Sequence, residues 1–128
     1  DNKNAELCQA IITYVKHNYS NNNLYVGNLA KIFNLSDSYI TRIFKEYTGY
    51  SLKQYIDMIR INKAKELLKD TNLTLDEIIR LVGYVDKSNF IRKFKKEEGL
   101  TPIAYRDAIR SSEDIIGSCD NIIRTVQG

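Results

Sequence analysis

The sequence predicts an all-α protein of about seven helices, arranged as two helix-turn-helix units joined by a long linker helix. Three observations lead to this prediction. Apolar residues recur at three- and four-residue spacings along most of the chain, which is the pattern of helices with one buried face. Residues that cap helix starts, and glycines that end helices, stand between these stretches. Much of the first half recurs in the second half at an offset of 50 residues.

The first unit is predicted over residues 5–50. Its first helix spans Glu6–Tyr19 and would bury a face of four apolar residues, Leu7, Ile11, Ile12 and Val15. A short second helix, Val26–Phe33, is followed by Asn34, a residue that tolerates the left-handed backbone conformation of a tight turn. Two short helices joined by such a turn form a helix-turn-helix motif, so the next stretch is predicted to be its second helix.

That second helix is predicted over residues 36–47, with Ser36 as its cap and Gly49 as the residue that ends it. One face carries apolar residues that are expected to be buried, namely Ile40, Ile43, Phe44 and Tyr47. The opposite face carries polar residues at the same spacing, namely Ser38, Thr41, Arg42 and Lys45. A face of hydroxyls and cations without anions can enter the major groove of DNA, and the alternative is an ordinary solvated surface.

A linker helix is predicted over residues 51–70, where Ser51 is its cap. Three of its apolar residues are expected to lie against both units: Ile59, Ala64 and Leu68. The second unit follows over residues 71–110. Its helices are predicted over Leu75–Val82, over residues 86–98, and from Thr101-Pro102 to about Arg110; their starts are marked by Thr74, Asp86 and a Pro at a first helical position.

The repeat places chemically similar residues at matching positions of the two units. The pairs include Ser38 and Ser88, Arg42 and Arg92, Phe44 and Phe94, Lys45 and Lys95, Gly49 and Gly99, and Tyr55 and Tyr105. A face that is merely solvated has no reason to reproduce Arg and Lys at matching positions. The repeat therefore favours nucleic-acid binding, with double-stranded DNA as the expected partner.

These residues resemble the AraC/XylS family of bacterial transcription regulators over roughly Ala5–Arg110. The more specific matches lie in the second half: Gly83-Tyr84, Asp86, Ser88, Phe90, Arg92, Phe94, Gly99, Thr101-Pro102 and Tyr105-Arg106. In the first half the matches include Leu29-Ala30, Leu35-Ser36, Tyr39-Ile40, Arg42, Phe44-Lys45, Gly49, Tyr55 and Arg60. Two residues depart from the family pattern. Ile79 stands where the family usually has Ala, which could splay or repack the second unit, and Tyr84 replaces the usual Phe, a change expected to be mild.

The resemblance implies a seven-helix DNA-binding domain and a set of DNA-contacting side chains. The implied base contacts are Ser38, Thr41, Arg42, Lys87, Ser88, Ile91 and Arg92, and the implied phosphate contacts are Lys45, Lys95 and Lys96. Arg42 could instead pair with Glu46, one helical turn away. Ile91 could meet a thymine methyl group or pack against the linker helix. The resemblance also implies an activator that recruits RNA polymerase and a separate sensor or receiver domain.

Composition argues against other classes of protein. No apolar run approaches the roughly 20 residues of a membrane span, and two cysteines cannot build a disulfide framework, so a cytoplasmic location without membrane contact is expected. His17 is the only histidine and has no second ligand at metal-binding spacing. No catalytic arrangement can be recognised either, so neither an enzymatic activity nor a cofactor is expected.

Residues 111–128 form a C-terminal tail in which Ile115, Ile116, Ile122 and Ile123 recur at a spacing of seven; the tail is either one more amphipathic helix or a link to further sequence. Because the chain begins at Asp1 rather than Met, it is expected to be part of a longer protein. The alternative function is a helical protein-interaction module that has kept the scaffold without reading DNA, and the cationic helix faces argue against it.

Overall fold

A computed structural model describes residues 2–112, which form seven helices and no β-strand within that range. The helices are α1 (Asn2–Asn18), α2 (Val26–Ile32), α3 (Asp37–Thr48), α4 (Leu52–Asp70), α5 (Leu75–Leu81), α6 (Lys87–Glu98) and α7 (residues 102–112). The all-α prediction is confirmed, and the helix ends lie within a few residues of their predicted places; the largest difference is the start of α1, four residues earlier than expected. The prediction for the tail beyond residue 112 lies outside the described residues.

The predicted caps form the hydrogen bonds that they were expected to form. The Ser36 hydroxyl accepts a hydrogen bond from the backbone N–H of Tyr39 at 3.1 Å. Ser51 and Thr74 form capping boxes, in which the side chain three residues later accepts from the backbone N–H of the cap. At the other ends, Gly49 and Gly99 have φ angles of 81° and 78°, the left-handed conformation of a helix stop.

Two separate hydrophobic cores lie along the chain. The first core combines α1, α2 and α3 with Leu52, Tyr55 and Ile56 from the first half of α4. The second combines α5 and α6 with Ile61, Ala64 and Leu68 from the second half of α4. Of the three residues predicted to lie buried against both units, Ile59 packs against the first core and is only partly buried, whereas Ala64 and Leu68 are buried in the second core. A helix of 19 residues is about 28 Å long, so apolar side chains in its two halves belong to different cores.

Tyr47 was predicted to be buried, and this prediction is wrong, because 41% of its surface is exposed. Ile40, Ile43 and Phe44 on the same face are buried as predicted. Tyr47 lies in the last turn of α3, beyond Phe44, which is the last residue of that helix in the core. Periodicity gives the direction of a side chain around the helix, but it does not tell how far along the helix the core extends.

Arginines from α4 and α7 close the loops that precede α2 and α5. Arg60 donates from Nε to the carbonyl oxygen of Tyr19 at 2.8 Å and from Nη2 to that of Asn21 at 2.9 Å. Arg110, its partner at the 50-residue offset, donates from Nη2 to the carbonyl oxygen of Thr71 at 2.7 Å. Each guanidinium thereby satisfies backbone acceptors in a turn that has few helical partners of its own.

The turn between α5 and α6 lies directly against the loop after α1. Gly83 has a φ angle of +99° in this turn. A Cβ atom at Gly83 would lie 2.5 Å from the carbonyl oxygen of Tyr19 and 3.0 Å from Nε of Arg60. Glycine is therefore required at this position for two reasons: its backbone conformation and the close approach of the first unit.

We expect Gly83→Ala to lower the free energy of unfolding more than Gly99→Ala does. Gly99 has a similar left-handed conformation, but a Cβ atom there would meet nothing within 4 Å, so it is the matched control. Gly99→Ala should cost about 1–2 kcal/mol, the penalty of an L-residue in this conformation. Gly83→Ala should cost about 1–3 kcal/mol more, because backbone atoms must move to relieve the overlap. Urea unfolding followed by circular dichroism measures both, and equal losses would contradict the close contact.

Candidate nucleic-acid interface

Helices α3 and α6 occupy equivalent places in the two units, and we call them the reader helices. Each buries its apolar face in the core of its own unit, through Ile40 and Phe44 in α3 and through Phe90 and Phe94 in α6. Burial of these side chains fixes the rotation of each helix about its axis. The opposite face of each reader helix is consequently turned towards solvent.

The structure places nearly all of the predicted DNA-contacting residues on these exposed faces. Those that are exposed are Ser38, Thr41, Arg42, Lys45, Lys87, Ser88, Arg92, Lys95 and Lys96. Ile91 is the exception. It is only partly exposed and packs against the second core, to which the linker helix contributes Ile61, Ala64 and Leu68. A contact between its exposed part and a thymine methyl group stays a prediction.

The two reader arginines are held by weak contacts on their own helices. Arg42 lies 3.5 Å from Glu46, and its guanidinium carbon is 5.3 Å from the centre of the Tyr39 ring. Arg92 donates from Nη2 to the amide oxygen of Asn89 at 2.8 Å. The exposed Arg42–Glu46 ion pair contributes about 0–1 kcal/mol, and the exposed hydrogen bond of Arg92 to Asn89 is similarly weak, so DNA could exchange both for contacts of its own at little cost.

Three lysines of the second reader helix lie at its two ends. Lys87 in the first turn is 3.0 Å from the carboxylate of Asp76, an exposed pair that links α6 to α5. Lys95 and Lys96 lie in the last turn, where the helix dipole favours positive charge. The exposed surface of α6 therefore carries cations in its first turn, at Arg92 and in its last turn, where Glu97 is the exposed anion, and a net positive surface suits a polyanion.

Four residues that sequence reasoning did not assign to any site connect the two units. Nearly buried Arg60 has its guanidinium carbon 5.4 Å from the centre of the Tyr84 ring. The Tyr84 hydroxyl donates to Oδ1 of Asp57 at 2.7 Å, and Nζ of Lys93 donates to Oδ2 of the same carboxylate at 3.0 Å. We call Asp57, Arg60, Tyr84 and Lys93 the inter-unit bracket. The repeat of Arg60 at Arg110 was a signal that Arg60 has a structural role.

Electrostatics within the bracket keep its hydrogen bonds in place. Burial raises the pKa of Tyr84, and the hydrogen bond to Asp57 raises it further, so the hydroxyl stays protonated and able to donate. Burial lowers the pKa of Arg60, but an arginine starts so high that it keeps its charge near neutral pH. Every buried side-chain nitrogen and oxygen within residues 2–112 has a hydrogen-bond partner.

Other kinds of site were sought in the same part of the chain. No group of three His, Cys, Asp or Glu residues within residues 2–112 is arranged to hold a metal ion. None of the helices described is long and apolar enough to cross a membrane. Cys8 is buried and burial raises its pKa, which makes its thiol a poor nucleophile.

Comparison with known proteins gives a consistent family. A family model described as a helix-turn-helix domain matches residues 29–108. The Msm operon regulatory protein of Streptococcus mutans is 34% identical over 107 residues, which cover 81% of this chain and 38% of that protein. The F1 operon positive regulatory protein of Yersinia pestis is 35% identical over 97 residues, covering 76% of this chain and 32% of that protein.

A solved structure shares both the fold and the sequence pattern. It is the C-terminal domain of AraT, a response regulator from Geobacillus stearothermophilus, with a TM-score of 0.77 and 33% identity. The match covers 79% of this chain and 84% of that domain. The chain thus corresponds to most of one solved domain, but it spans well under half the length of the two operon regulators.

We expect Lys95→Ala to weaken binding to all DNA sequences alike and to reduce the slope of log affinity against log salt by about one, because one phosphate contact is lost. Lys63→Ala is the matched control, since Lys63 lies on α4 and pairs with Glu66. That variant removes the same charge and should leave the salt slope unchanged. Fluorescence anisotropy at several salt concentrations measures both slopes. An unchanged slope for Lys95→Ala would show that Lys95 does not contact phosphate.

Proposed function

This chain belongs to the AraC/XylS family of helix-turn-helix transcription regulators, and we propose that it binds double-stranded DNA sequence-specifically with both reader helices. The observation that carries the proposal is the duplicated exposed face. Arg42 and Lys45 in α3, and Arg92 and Lys95 in α6, stand at matching positions opposite buried aromatic residues. A protein that read DNA with one unit alone would need this face only once.

The proposed mode of binding follows from the two reader helices. Each would enter one segment of the major groove, and successive segments on one side of DNA are about 34 Å apart. Base contacts would come from Ser38, Thr41 and Arg42 in the first segment and from Lys87, Ser88, Ile91 and Arg92 in the second. Lys45, Lys95 and Lys96 would neutralise phosphates. The two faces differ at several positions, so one chain would read a non-palindromic site.

The regulatory context is part of the proposal. We propose that the domain division is a first unit over residues 5–50, a linker over residues 51–70 and a second unit over residues 71–110. A positive regulator and a response regulator among the similar proteins support an activator that works with RNA polymerase and receives its signal from a sensor or receiver domain. Such a regulator works on DNA in the bacterial cytoplasm and needs neither a cofactor nor a catalytic site.

A protein-interaction module without DNA reading is the competing function. It would explain the family fold but not the repeated Arg and Lys on the reader faces. Selection of binding sites from random duplex DNA at two salt concentrations separates the two functions. A DNA-reading domain should enrich one consensus with two conserved segments roughly a helical turn, about 10 base pairs, apart. Failure to enrich any consensus at both salt concentrations would overturn the proposed function.

We expect Arg42→Ala and Arg92→Ala each to cost about 1–3 kcal/mol of binding free energy and each to relax base preference at one position, because a guanidinium forks onto guanine O6 and N7. The two positions should lie in different segments of the site. Since the arginines are far apart, their losses should nearly add in the double variant. Site selection with each variant, followed by titration on the parental site, measures both effects.

Arg92→Lys is the matched control for this experiment. It keeps the positive charge but loses the planar fork, so it should lose the base preference while retaining the salt dependence. If Arg42 and Arg92 had only structural roles, the alanine variants would have lower melting temperatures and would still select the parental consensus. That result would refute the assignment of these arginines as base readers.

A further inference from the structure

The relative position of the two reader helices depends on what crosses from one unit to the other. The two hydrophobic cores share no residue within the described part of the chain, and α4 is the helix there that contributes to both. A helix alone does not fix the distance and angle between the two units, because long helices are rarely straight and curve gently. The polar contacts between the units therefore determine how firmly the two reader helices are held relative to each other.

One half of the inter-unit bracket holds the first unit to the linker helix. Arg60, with 7% of its surface exposed, donates to two backbone carbonyls in the loop after α1. Two parallel donations from a planar guanidinium fix its orientation as well as its position. The same guanidinium lies beside the Tyr84 ring, so this side chain of α4 contacts the loop of the first unit and the turn of the second.

The other half ties the second reader helix to the linker helix. Tyr84 precedes α6, and its ring packs against Phe90 of that helix with the ring centres 5.3 Å apart. Its hydroxyl donates to Asp57, and Lys93 of α6 donates to the other oxygen of that carboxylate. Both bonds are charge-assisted, and Tyr84 is almost fully buried. The chain of contacts thus runs from the loop after α1 to the second reader helix.

We propose that the inter-unit bracket sets the spacing between the two DNA segments that the chain accepts. This inference rests on the proposed function, and it assigns a positioning role to Tyr84 and Asp57, which belong to neither predicted contact set. One base pair changes the separation of two sites by about 3.4 Å and their relative rotation by about 34°. A hinge movement of this size between the units would let the chain accept a neighbouring spacing. Removing the Tyr84 hydroxyl tests this role with the least disturbance of the surrounding packing.

The test uses this chain, the consensus that it selects from random DNA, and a set of duplexes in which the spacing between the two segments is one base pair shorter, unchanged, or one or two longer. Tyr84→Phe keeps the ring and its packing and removes only the hydroxyl. We expect its preference for the best spacing over its neighbours to fall roughly tenfold, the effect of one lost charge-assisted hydrogen bond. Its affinity for a duplex with only the second segment should not change, since the reader face is untouched.

Tyr55→Phe is the matched control. Tyr55 lies on α4, is buried in the first core against Phe44, and is not part of the bracket. This variant removes the same hydroxyl from a tyrosine of the linker helix whose ring is buried outside the bracket, and its spacing preference should equal that of the parent. Asp57→Asn is the second test variant, because it keeps the side-chain shape while removing the charge that Tyr84 and Lys93 share. It should broaden the spacing preference in the same way.

The possible outcomes separate this inference from the proposed function. If the parent chain selects no DNA consensus, the proposed function fails and the inference fails with it. If the parent selects a site with a sharp spacing preference and both Tyr84→Phe and Asp57→Asn retain that preference, the inference alone is overturned. A lower melting temperature with an unchanged spacing profile would likewise show that the bracket contributes to stability and not to the choice of spacing.

Discussion

Helix α4 belongs to both hydrophobic cores, and the positions of all the other elements depend on this sharing. Its first half contributes Leu52, Tyr55 and Ile56 to the first core. Its second half contributes Ile61 and Ala64 to the second core. In the first unit α4 follows the reader helix, whereas in the second unit it takes the place that α1 has in the first. Arg60 and Arg110 show that α7 takes the corresponding place after the second reader helix, because each donates to the loop that precedes the helix-turn-helix of its unit. The two units are therefore overlapping four-helix groups with one helix in common.

The sequence was sufficient to predict the fold because local signals agreed with the repeat. Ser36, Ser51, Thr74 and Asp86 mark helix starts by hydrogen bonds within a few residues, which are readable from the chain alone. The errors concern contacts between distant segments. Exposure of Tyr47 depends on where the core ends, and the half-burial of Ile59 depends on which unit it faces. The role of Arg60 needs partners 39 and 41 residues away, which no local pattern reveals.

The polar contacts of this chain fall into two groups that differ in burial. On the reader faces, Arg42 with Glu46 and Lys87 with Asp76 are exposed pairs, which solvent screens strongly. Such weak pairs can be exchanged for contacts with another partner at little cost. In the bracket, by contrast, the Lys93 and Asp57 side chains are less than a quarter exposed and surround a buried ring. The exposed pairs on the reader faces suit an interface that exchanges protein contacts for contacts with DNA. The half-buried contacts of the bracket suit a fixed connection between the two units.

The turns of the two helix-turn-helix motifs have the same backbone hydrogen bond, but the side chain of the residue after the left-handed position has different contacts in each. The backbone N–H of Leu35 donates to Ala30, and that of Tyr84 donates to Ile79, after a left-handed Asn34 and Gly83 respectively. Leu35 packs into the core of its own unit, whereas Tyr84 reaches Arg60 and Asp57 on the linker helix. The sequence-based expectation that Tyr in place of Phe is a mild change overlooked this hydroxyl, because its acceptor lies 27 residues away on another helix. The turn of the second motif lies against the loop after α1 and against Arg60 of the linker helix. The divergence between the repeats at this position therefore follows from that asymmetry: the same turn closes a core in one unit and makes a contact between units in the other.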